Sequence, residues 1–305
     1  MPQPLRFLFF VWLTVSASAQ SRIDCNALKS QILGEPVHYC VLLPSGYDSA
    51  PAKHYPVLYF LHGLGENEQT LFKTGGWNLI EDLRQQRKIG DFLIVTPEAR
   101  ATFYVNSVDG KVRYSDFFLQ EFVPIIEAKY RIRRERSARA ISGISMGGYG
   151  ALRFAFADPN MFSAVSAQSA ALITESPREL NAASRTGTPL GSILGSAFGN
   201  PIKVAHWKEN DPSTLARKNQ SALGKIAIYF NCGRDDEYGF ETGAAALDRL
   251  LQQERIKHEF HLYPGGHNAS YFGAHLGEVM EFHSKIFEAG IGTGTTSAAP
   301  ARRSK

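Results

Sequence analysis

Short apolar runs alternate with amphipathic segments along most of this 305-residue chain. The runs are rich in β-branched and aromatic residues and have the length of strands, whereas apolar residues recur at helical spacing between them. Strands and helices that alternate in this way predict an α/β fold, with a mostly parallel central sheet and helices on both faces. The predicted strands are residues 57–62, 92–96, 138–142, 163–167, 225–231 and 258–263, preceded by an antiparallel edge strand at 37–43.

The clearest predicted helices cover residues 115–130, 146–156 and 241–254. The segment 171–218 is rich in Ser, Gly, Pro and Asn, so we expect it to be irregular and to form a lid or another substrate-facing insertion. One catalytic domain is expected over residues 20–289. The Gly, Thr, Ser and Ala bias of residues 290–305 predicts a disordered tail.

The chain begins with a pattern typical of a signal peptide. Arg6 is followed by an apolar run over residues 7–15, and the small residues Ala17 and Ala19 then flank Ser18. This pattern predicts cleavage after Ala19 and a secreted or periplasmic protein. The apolar run has about half of the roughly 20 residues that a membrane-spanning helix needs, so the mature form is expected to lack a membrane span.

The charge of the chain gives no sign of a nucleic-acid partner. Lys and Arg total 33 against 29 Asp and Glu, for a formal net charge of +4. The main basic cluster is Arg131, Arg133, Arg134 and Arg136, which is more typical of a solvated helix end than of a nucleic-acid surface. The histidines are dispersed without metal-ligand spacing, so neither a metal nor an organic cofactor is predicted.

The three cysteines predict one disulfide in an exported protein. Cys25 and Cys40 flank a short segment near the mature N-terminus and are the predicted pair. Cys232 lies in an apolar run and is predicted to be a buried free thiol. Three unpaired thiols remain the alternative.

The segment Gly143-Ile144-Ser145-Met146-Gly147 is the strongest chemical signal in the sequence. A serine hydroxyl is a weak nucleophile unless a base removes its proton and the backbone presents it without crowding. Here the segment joins a predicted strand to a predicted helix, and its two glycines leave room for a sharp turn. We therefore predict that Ser145 is a catalytic nucleophile.

A base and an acid should follow the nucleophile, each just after a strand. His267 comes after Gly265 and Gly266, beyond the strand at 258–263, and is the predicted base. The strand at 225–231 leads to two adjacent carboxylates, Asp235 and Asp236. Only one of two neighbours in an extended loop can face the imidazole, and we assign the role to Asp236.

Two backbone amides are expected to stabilise the oxyanion of a tetrahedral intermediate. Met146, directly after the nucleophile, supplies one. Leu64 supplies the other, because Gly63 lets the chain turn after the strand at 57–62. His62 precedes this turn, and its position favours a structural role over a second base.

Taken together, these motifs resemble those of the esterase D family. That family includes feruloyl and acetylxylan esterases of carbohydrate-esterase family 1, S-formylglutathione hydrolases and the antigen 85 mycolyltransferases. The likeness extends from about residue 37 to residue 287. The motifs that carry it are Leu61-His62-Gly63, the segment from Gly143 to Leu152, Cys232-Gly233-Arg234-Asp235-Asp236, and Gly265-Gly266-His267.

The resemblance implies an α/β-hydrolase fold and a serine esterase. In the family, the acid lies three residues after the glycine that ends its strand, which here is Gly233 and supports Asp236. This chain departs from the family by having Glu237 and Tyr238 after the acid, where hydrophobic residues are common.

The expected function is hydrolysis of small or polysaccharide-linked feruloyl or acetyl esters through an acyl-enzyme. The expected partner is thus an ester substrate, which the sequence does not identify further, and the oligomeric state is left open. Two alternatives remain, namely acyl transfer to an alcohol of the antigen 85 type and a catalytically silent binding protein on the same fold. Three aromatic residues are candidate platforms for an aryl or sugar group: Trp77, Tyr104 and Tyr238.

Overall fold

A single sheet of eight strands organises the chain in the computed structural model, which describes residues 21–184 and 189–294. The strand order is β1-β2-β4-β3-β5-β6-β7-β8. β1 pairs antiparallel with β2 and β2 pairs antiparallel with β4, whereas all later pairs are parallel. The strands are β1 Arg22–Lys29, β2 Pro36–Leu43, β3 Val57–Leu61, β4 Leu93–Pro97, β5 Arg139–Ile144, β6 Ala164–Gln168, β7 Ala227–Gly233 and β8 Glu259–Tyr263.

The predicted α/β architecture is confirmed, and each predicted strand is present to within two residues at either end. The prediction that 37–43 forms the sheet edge was wrong, because β1 covers β2 on its outer side. β1 was missed since most of its side chains are exposed and only Leu28 is buried, which leaves no apolar run to detect.

Helices cover both faces of the sheet. A continuous helical stretch, whose middle Phe117–Phe122 is π-helical, fills the predicted helix at 115–130. The helices are α1 Thr70–Lys73, α2 Gly76–Gln85, α3 Tyr114–Asp116, α4 Val123–Lys129, α5 Met146–Ala157, α6 Pro177–Ser184, α7 Pro189–Phe198, α8 Val204–Asn210, α9 Pro212–Lys218, α10 Gln220–Leu223, α11 Phe240–Gln253 and α12 Ala269–Gly294.

Two predictions about irregular segments need correction. The segment 171–218 is mainly helical, since it contains α6, α7, α8 and α9. Its small and polar residues belong to a series of short helices instead of one long loop. At the other end of the chain, α12 continues through Gly294, beyond the predicted domain boundary at 289. The predicted signal peptide and residues 295–305 of the predicted tail lie outside the described residues.

The two sheet faces form two apolar layers. On one face, Tyr59, Phe118 and Phe154 are buried in a large cluster that also includes residues of α5, the helix after Ser145. On the other face, Leu58 and Met280 belong to a smaller cluster under α2 and α12. Alternate residues of a strand point to opposite faces, so Leu58 and Tyr59 serve different layers.

The predicted disulfide joins Cys25 to Cys40. The two residues are directly opposite each other in the β1–β2 ladder, so the bond ties the exposed strand β1 to the sheet. Closing a loop with a sequence separation of 15 residues is worth about 3 kcal/mol in the chain-entropy account. Cys232 is a buried free thiol, as predicted.

Arginines of the basic cluster at 131–136 donate hydrogen bonds to main-chain carbonyls of other segments. Arg134 and Arg136 donate to main-chain carbonyls of Glu127, Pro159 and Lys225. Arg131 donates to the carbonyl of Tyr47 and its guanidinium lies over the Tyr47 ring. These arginines therefore join separate segments of the chain, which differs from the predicted solvated helix end.

A buried histidine packs against one face of the sheet. His283 of α12 is fully buried, and its Nε2 lies 2.8 Å from the Oγ of Ser166, which donates to Ser142. Its Nδ1 has no hydrogen-bond partner among the described residues. Burial lowers the pKa of His283 to about 3.

This histidine should make folding sensitive to acid. The unfolded chain binds a proton at His283 below about pH 6.5, whereas the folded chain resists protonation until about pH 3, so His283 removes stability as pH falls through that window. From pH 7 to pH 5, the free energy of unfolding should fall by about 2 kcal/mol more in the wild type than in His283→Gln. Urea denaturation of both proteins at the two pH values measures this difference. Equal losses would contradict the prediction.

Candidate active site

Ser145 lies in the sharp turn between β5 and α5. Its backbone has φ 54° and ψ −116°, a conformation that residues other than glycine rarely adopt. The turn is possible because Gly143 and Gly147 lack side chains. A Cβ on Gly143 would lie 2.2 Å from the Gly147 carbonyl oxygen, and one on Gly147 would lie 2.0 Å from the Leu61 carbonyl oxygen. Main-chain bonds from Ser145 to Gln168 and from Ala171 to Ser145 hold the turn in place.

The structure brings together the three predicted catalytic side chains. The Nε2 of His267 lies 2.9 Å from the Oγ of Ser145, and its Nδ1 lies 2.8 Å from Oδ2 of Asp236. Asp236 follows β7 and His267 follows β8, so both residues reach the end of the sheet at which Ser145 lies. An imidazole held between a carboxylate and a hydroxyl can accept the hydroxyl proton while the carboxylate fixes its tautomer.

The two adjacent carboxylates differ in burial. The Asp236 side chain is fully buried, whereas Asp235 is exposed. Asp236 also accepts bonds from the Tyr238 amide at 3.0 Å and from the Cys232 thiol at 3.6 Å. Burial alone would raise the pKa of Asp236, but His267 and these donors outweigh it and hold the pKa below its usual value. Asp236 is therefore the carboxylate in a position to orient the base.

Aromatic rings enclose the imidazole of His267. The ring centroids of Tyr238, Phe240 and Phe272 lie 4.9, 5.4 and 5.2 Å from that of His267, each in an edge-to-face arrangement. These contacts restrict rotation of the ring. The His267 side chain is consequently only 9% exposed, although it lies on a loop.

The loop after β3 lies beside Ser145. A Cβ on Gly63 would be 3.6 Å from the Cβ of Ser145, so the Gly63–Leu64 segment is next to that serine. Leu64 and Met146, the two predicted oxyanion donors, both line the same cleft as Ser145. Met146 is the first residue of α5, where a main-chain N–H has no partner within its helix.

His62 has the predicted structural position. It is buried, its Nδ1 lies 2.7 Å from the Gly63 carbonyl oxygen, and its Nε2 accepts a bond from the Ala99 amide at 2.9 Å. Burial lowers the pKa of His62, which favours the neutral ring. A neutral ring with this pair of partners donates from Nδ1 and thereby anchors the start of the loop.

Two carboxylates at the site were not identified from the sequence. Oε2 of Glu66 accepts a bond from the Gly63 amide at 2.7 Å, and Glu66 lines the cleft. Glu237 accepts a bond from the His267 amide. The only sequence signal for Glu237 was its departure from the hydrophobic residues common in the esterase D family, and Glu66 had none.

The cleft above Ser145 has a volume of about 560 Å³. Most of its wall is apolar. In the described part of that wall, Glu66 has the carboxylate side chain and His267 has the imidazole. The predicted substrate-facing segment 171–218 contributes Ala171, Ile173 and Ile193. Other apolar lining residues are Phe60, Leu64, Leu71, Leu79, Phe103, Ile144, Met146, Phe240, Ala269, Phe272 and Leu276.

The three predicted aromatic platforms have different positions. Tyr238 lines the cleft and is 69% exposed. Tyr104 is fully buried, where its hydroxyl donates to the His62 carbonyl, and Trp77 packs against the core cluster under α2. The predictions for Tyr104 and Trp77 were therefore wrong, because Tyr104 is fully buried, Trp77 is partly buried against the core, and neither ring lines the cleft.

The described part of the chain contains neither a candidate metal site nor a candidate membrane-spanning helix. It contains no group of three or more His, Cys, Asp or Glu residues that could hold a metal ion. Within the same residues, no helix combines the length and the apolar character needed to cross a bilayer.

Comparisons with known proteins agree on one family. Residues 30–282 match the family model described as "Esterase: Putative esterase". An esterase of Mycobacterium tuberculosis (strain H37Rv) is 29% identical over 242 residues, which are 74% of this chain and 51% of the relative. The chain thus spans about half the length of this mycobacterial relative. The acetyl esterase of Caldicellulosiruptor saccharolyticus is 26% identical over 236 residues, or 77% of this chain and 85% of the relative.

A solved structure shows the same fold. A ferulic acid esterase superimposes with a TM-score of 0.75 and 28% sequence identity, and the match covers 88% of this chain and 99% of that chain. The match therefore leaves out little of either chain.

Proposed function

Because the chain belongs to the esterase family that this family model describes, we propose that it is a serine carboxylic ester hydrolase that works through an acyl-enzyme on Ser145. One observation carries the proposal, namely the hydrogen-bonded series from Asp236 through His267 to Ser145 at the base of an apolar cleft. A catalytically silent binding protein would not need this alignment or the strained backbone of Ser145.

In the first half of the reaction, His267 accepts the Ser145 proton while Oγ bonds to the ester carbonyl carbon. The carbonyl oxygen becomes an oxyanion that the Leu64 and Met146 amides stabilise. Asp236 stabilises the resulting imidazolium. When the tetrahedral intermediate collapses, the bond to the alcohol oxygen breaks and His267 gives its proton to the departing alcohol, which leaves the acyl group on Ser145.

In the second half, a water molecule takes the place of the alcohol. His267 accepts a proton from the water while the water oxygen bonds to the acyl carbon. The same two amides bind the new oxyanion. Collapse of this intermediate breaks the bond to Ser145 Oγ. The proton returns from His267 to Ser145, and the carboxylic acid leaves the cleft.

The volume and the lining of the cleft favour esters with an apolar acyl group. Its volume of about 560 Å³ is much larger than an acetyl group requires, and its wall is mainly aliphatic and aromatic. Feruloyl and similar aryl or medium-length acyl esters bury more apolar surface there than acetyl esters do. Tyr238, exposed at the cleft, is placed to stack against a sugar or aryl alcohol.

We also propose that the protein works outside the cytoplasm. The N-terminal pattern with its small residues Ala17 and Ala19 supports export. The disulfide between Cys25 and Cys40 is compatible with an oxidising compartment. Esters attached to extracellular polysaccharide are substrates that such a protein would meet.

A substrate panel tests the proposed function. The panel contains methyl ferulate, acetylated xylan, and the acetyl, butyryl and hexanoyl esters of naphthol. Each buried methylene contributes about 0.8 kcal/mol, and the butyryl group has two more methylenes than the acetyl group, so kcat/KM should rise about fifteenfold from naphthyl acetate to naphthyl butyrate. Absence of hydrolysis across the panel would contradict the proposal. A parallel assay with an added sugar or alcohol acceptor would contradict it if ester formation outpaced hydrolysis.

A further inference from the structure

Glu66 is the carboxylic acid that lines the cleft in the described part of the chain. It follows the Gly63–Leu64 segment on the loop after β3, and it is partly buried. None of the described lining residues is a lysine or an arginine, so no basic side chain of the cleft wall neutralises its charge. An acid in such a wall affects any charged substrate that enters.

The position of the Glu66 carboxylate is fixed by the oxyanion loop. Its Oε2 accepts the Gly63 amide at 2.7 Å, and a Cβ on Gly63 would lie 3.1 Å from the same oxygen. The same imaginary Cβ would lie 3.6 Å from the Cβ of Ser145. The carboxylate therefore lies close to the reacting serine, and its bond orients the peptide that precedes the Leu64 amide.

Three influences set the charge of Glu66. Burial raises its pKa, whereas the bond from the Gly63 amide and the charge of His267 lower it, and the balance leaves the pKa above its usual value. The charge effect is therefore tested at pH 8, because a high pH favours the ionised form of a carboxyl group whose pKa is raised.

We propose that Glu66 makes this cleft selective for uncharged esters, because it repels substrates that carry a carboxylate, and that it also positions the oxyanion loop. The inference rests on the proposed esterase function and adds a substrate class to it. Esters whose acyl chain carries a carboxylate are thus disfavoured. Thioesters whose thiol part carries a carboxylate, such as an acidic peptide acylated on its thiol, are disfavoured for the same reason.

The charge distribution of the reaction explains why this carboxylate is compatible with catalysis. The transition state contains an imidazolium on His267 and an oxyanion near Leu64, so its net charge is zero for an uncharged ester. Attraction between Glu66 and the imidazolium offsets repulsion of the oxyanion. A carboxylate on the substrate adds a repulsion from Glu66, and the described cleft wall has no lysine or arginine that offsets it.

Two matched substrates test the charge effect at pH 8. Both are 4-nitrophenyl esters with the same chain length, one of adipic acid and one of its monoamide, so the first ends in a carboxylate and the second in a carboxamide. The measured quantity is the ratio of kcat/KM for the carboxylate ester to that for the carboxamide ester. This ratio should rise about tenfold in Glu66→Gln, as expected for removal of one like charge several ångströms away in a partly buried site.

The positioning effect has its own readout. Glutamine keeps an oxygen that can accept the Gly63 amide, whereas alanine does not. Glu66→Ala should therefore lower kcat for both esters about tenfold relative to Glu66→Gln, with a smaller change in KM. Equal kcat values for the two variants would overturn the positioning role.

Glu175→Gln is the matched control for charge. Glu175 is exposed, does not line the cleft, and is two residues from the lining residue Ile173. Its substitution removes the same charge and should leave the substrate ratio unchanged. A ratio that rises equally in Glu175→Gln and Glu66→Gln, or in neither, would overturn the selective role of Glu66.

Binding to an inactive protein separates this inference from the esterase function. In the Ser145→Ala background, the Kd ratio of the same two esters is measured with Glu66 and with Glu66→Gln. The additional Glu66→Gln substitution should tighten binding of the carboxylate ester about tenfold relative to the carboxamide ester. An unchanged Kd ratio would overturn the selectivity, whereas turnover that persists in Ser145→Ala would contradict only the proposed function.

Discussion

Replacement of Ser145 by alanine should lower kcat about 10⁶-fold for every ester that the wild type hydrolyses. The reason is that the acyl-enzyme forms on the Oγ, which lies 2.9 Å from His267 Nε2, and alanine has no atom to take that place. The apolar cleft and the two oxyanion amides remain, so KM should change much less than kcat. Steady-state hydrolysis of naphthyl butyrate, measured at high enzyme concentration, provides the test.

A covalent probe and a control serine complete that test. A fluorophosphonate should label the wild type and fail to label Ser145→Ala, because the probe reacts with the same activated oxygen. Ser49→Ala removes an exposed hydroxyl that donates to the nearby Gly46 carbonyl, and it should behave as the wild type does. Labelling or near-normal turnover in folded Ser145→Ala would exclude this serine as the nucleophile.

The sequence predicted the positions of these groups because they depend on local features. Ser145 lies between glycines that a strand-to-helix turn requires, and the order of serine, acid and histidine follows the order of the parallel strands. Each group follows a strand, and the carboxyl ends of neighbouring parallel strands meet at one edge of a sheet. Local pattern and sheet topology together are sufficient to place Ser145, Asp236 and His267 near each other.

Other features depend on which surfaces meet, and no local pattern reports that. Tyr104 and Trp77 are of the residue type that forms binding platforms, but the Tyr104 ring is fully buried and the Trp77 ring packs against the core, away from the cleft wall. Glu66 and Glu237 become part of the site only because main-chain amides of other residues approach their carboxylates. β1 is a strand because β2 pairs with it, and its own exposed residues give little sign of this.

Asp236→Asn should lower kcat about 10⁴-fold, while Asp235→Asn should change it by less than about twofold. Asp236 accepts the Tyr238 amide through Oδ1 and faces His267 Nδ1 through Oδ2. In Asp236→Asn, the oxygen stays with the Tyr238 amide and the NH₂ group faces His267. The imidazole must then accept a bond at Nδ1 and carry its proton on Nε2.

That tautomer explains the size of the expected loss. A protonated Nε2 donates to Ser145 Oγ and cannot remove its proton, although the distances between the side chains hardly change. The exposed Asp235 uses its main-chain amide to bond Gly265, and asparagine preserves that bond. Comparison of kcat for the two variants with naphthyl butyrate, after circular dichroism has shown both to be folded, therefore tests the side-chain role alone. A large loss in Asp235→Asn with a nearly normal Asp236→Asn would transfer the acid to Asp235, and it would require the loop after β7 to shift by one residue from the position it has in the structure.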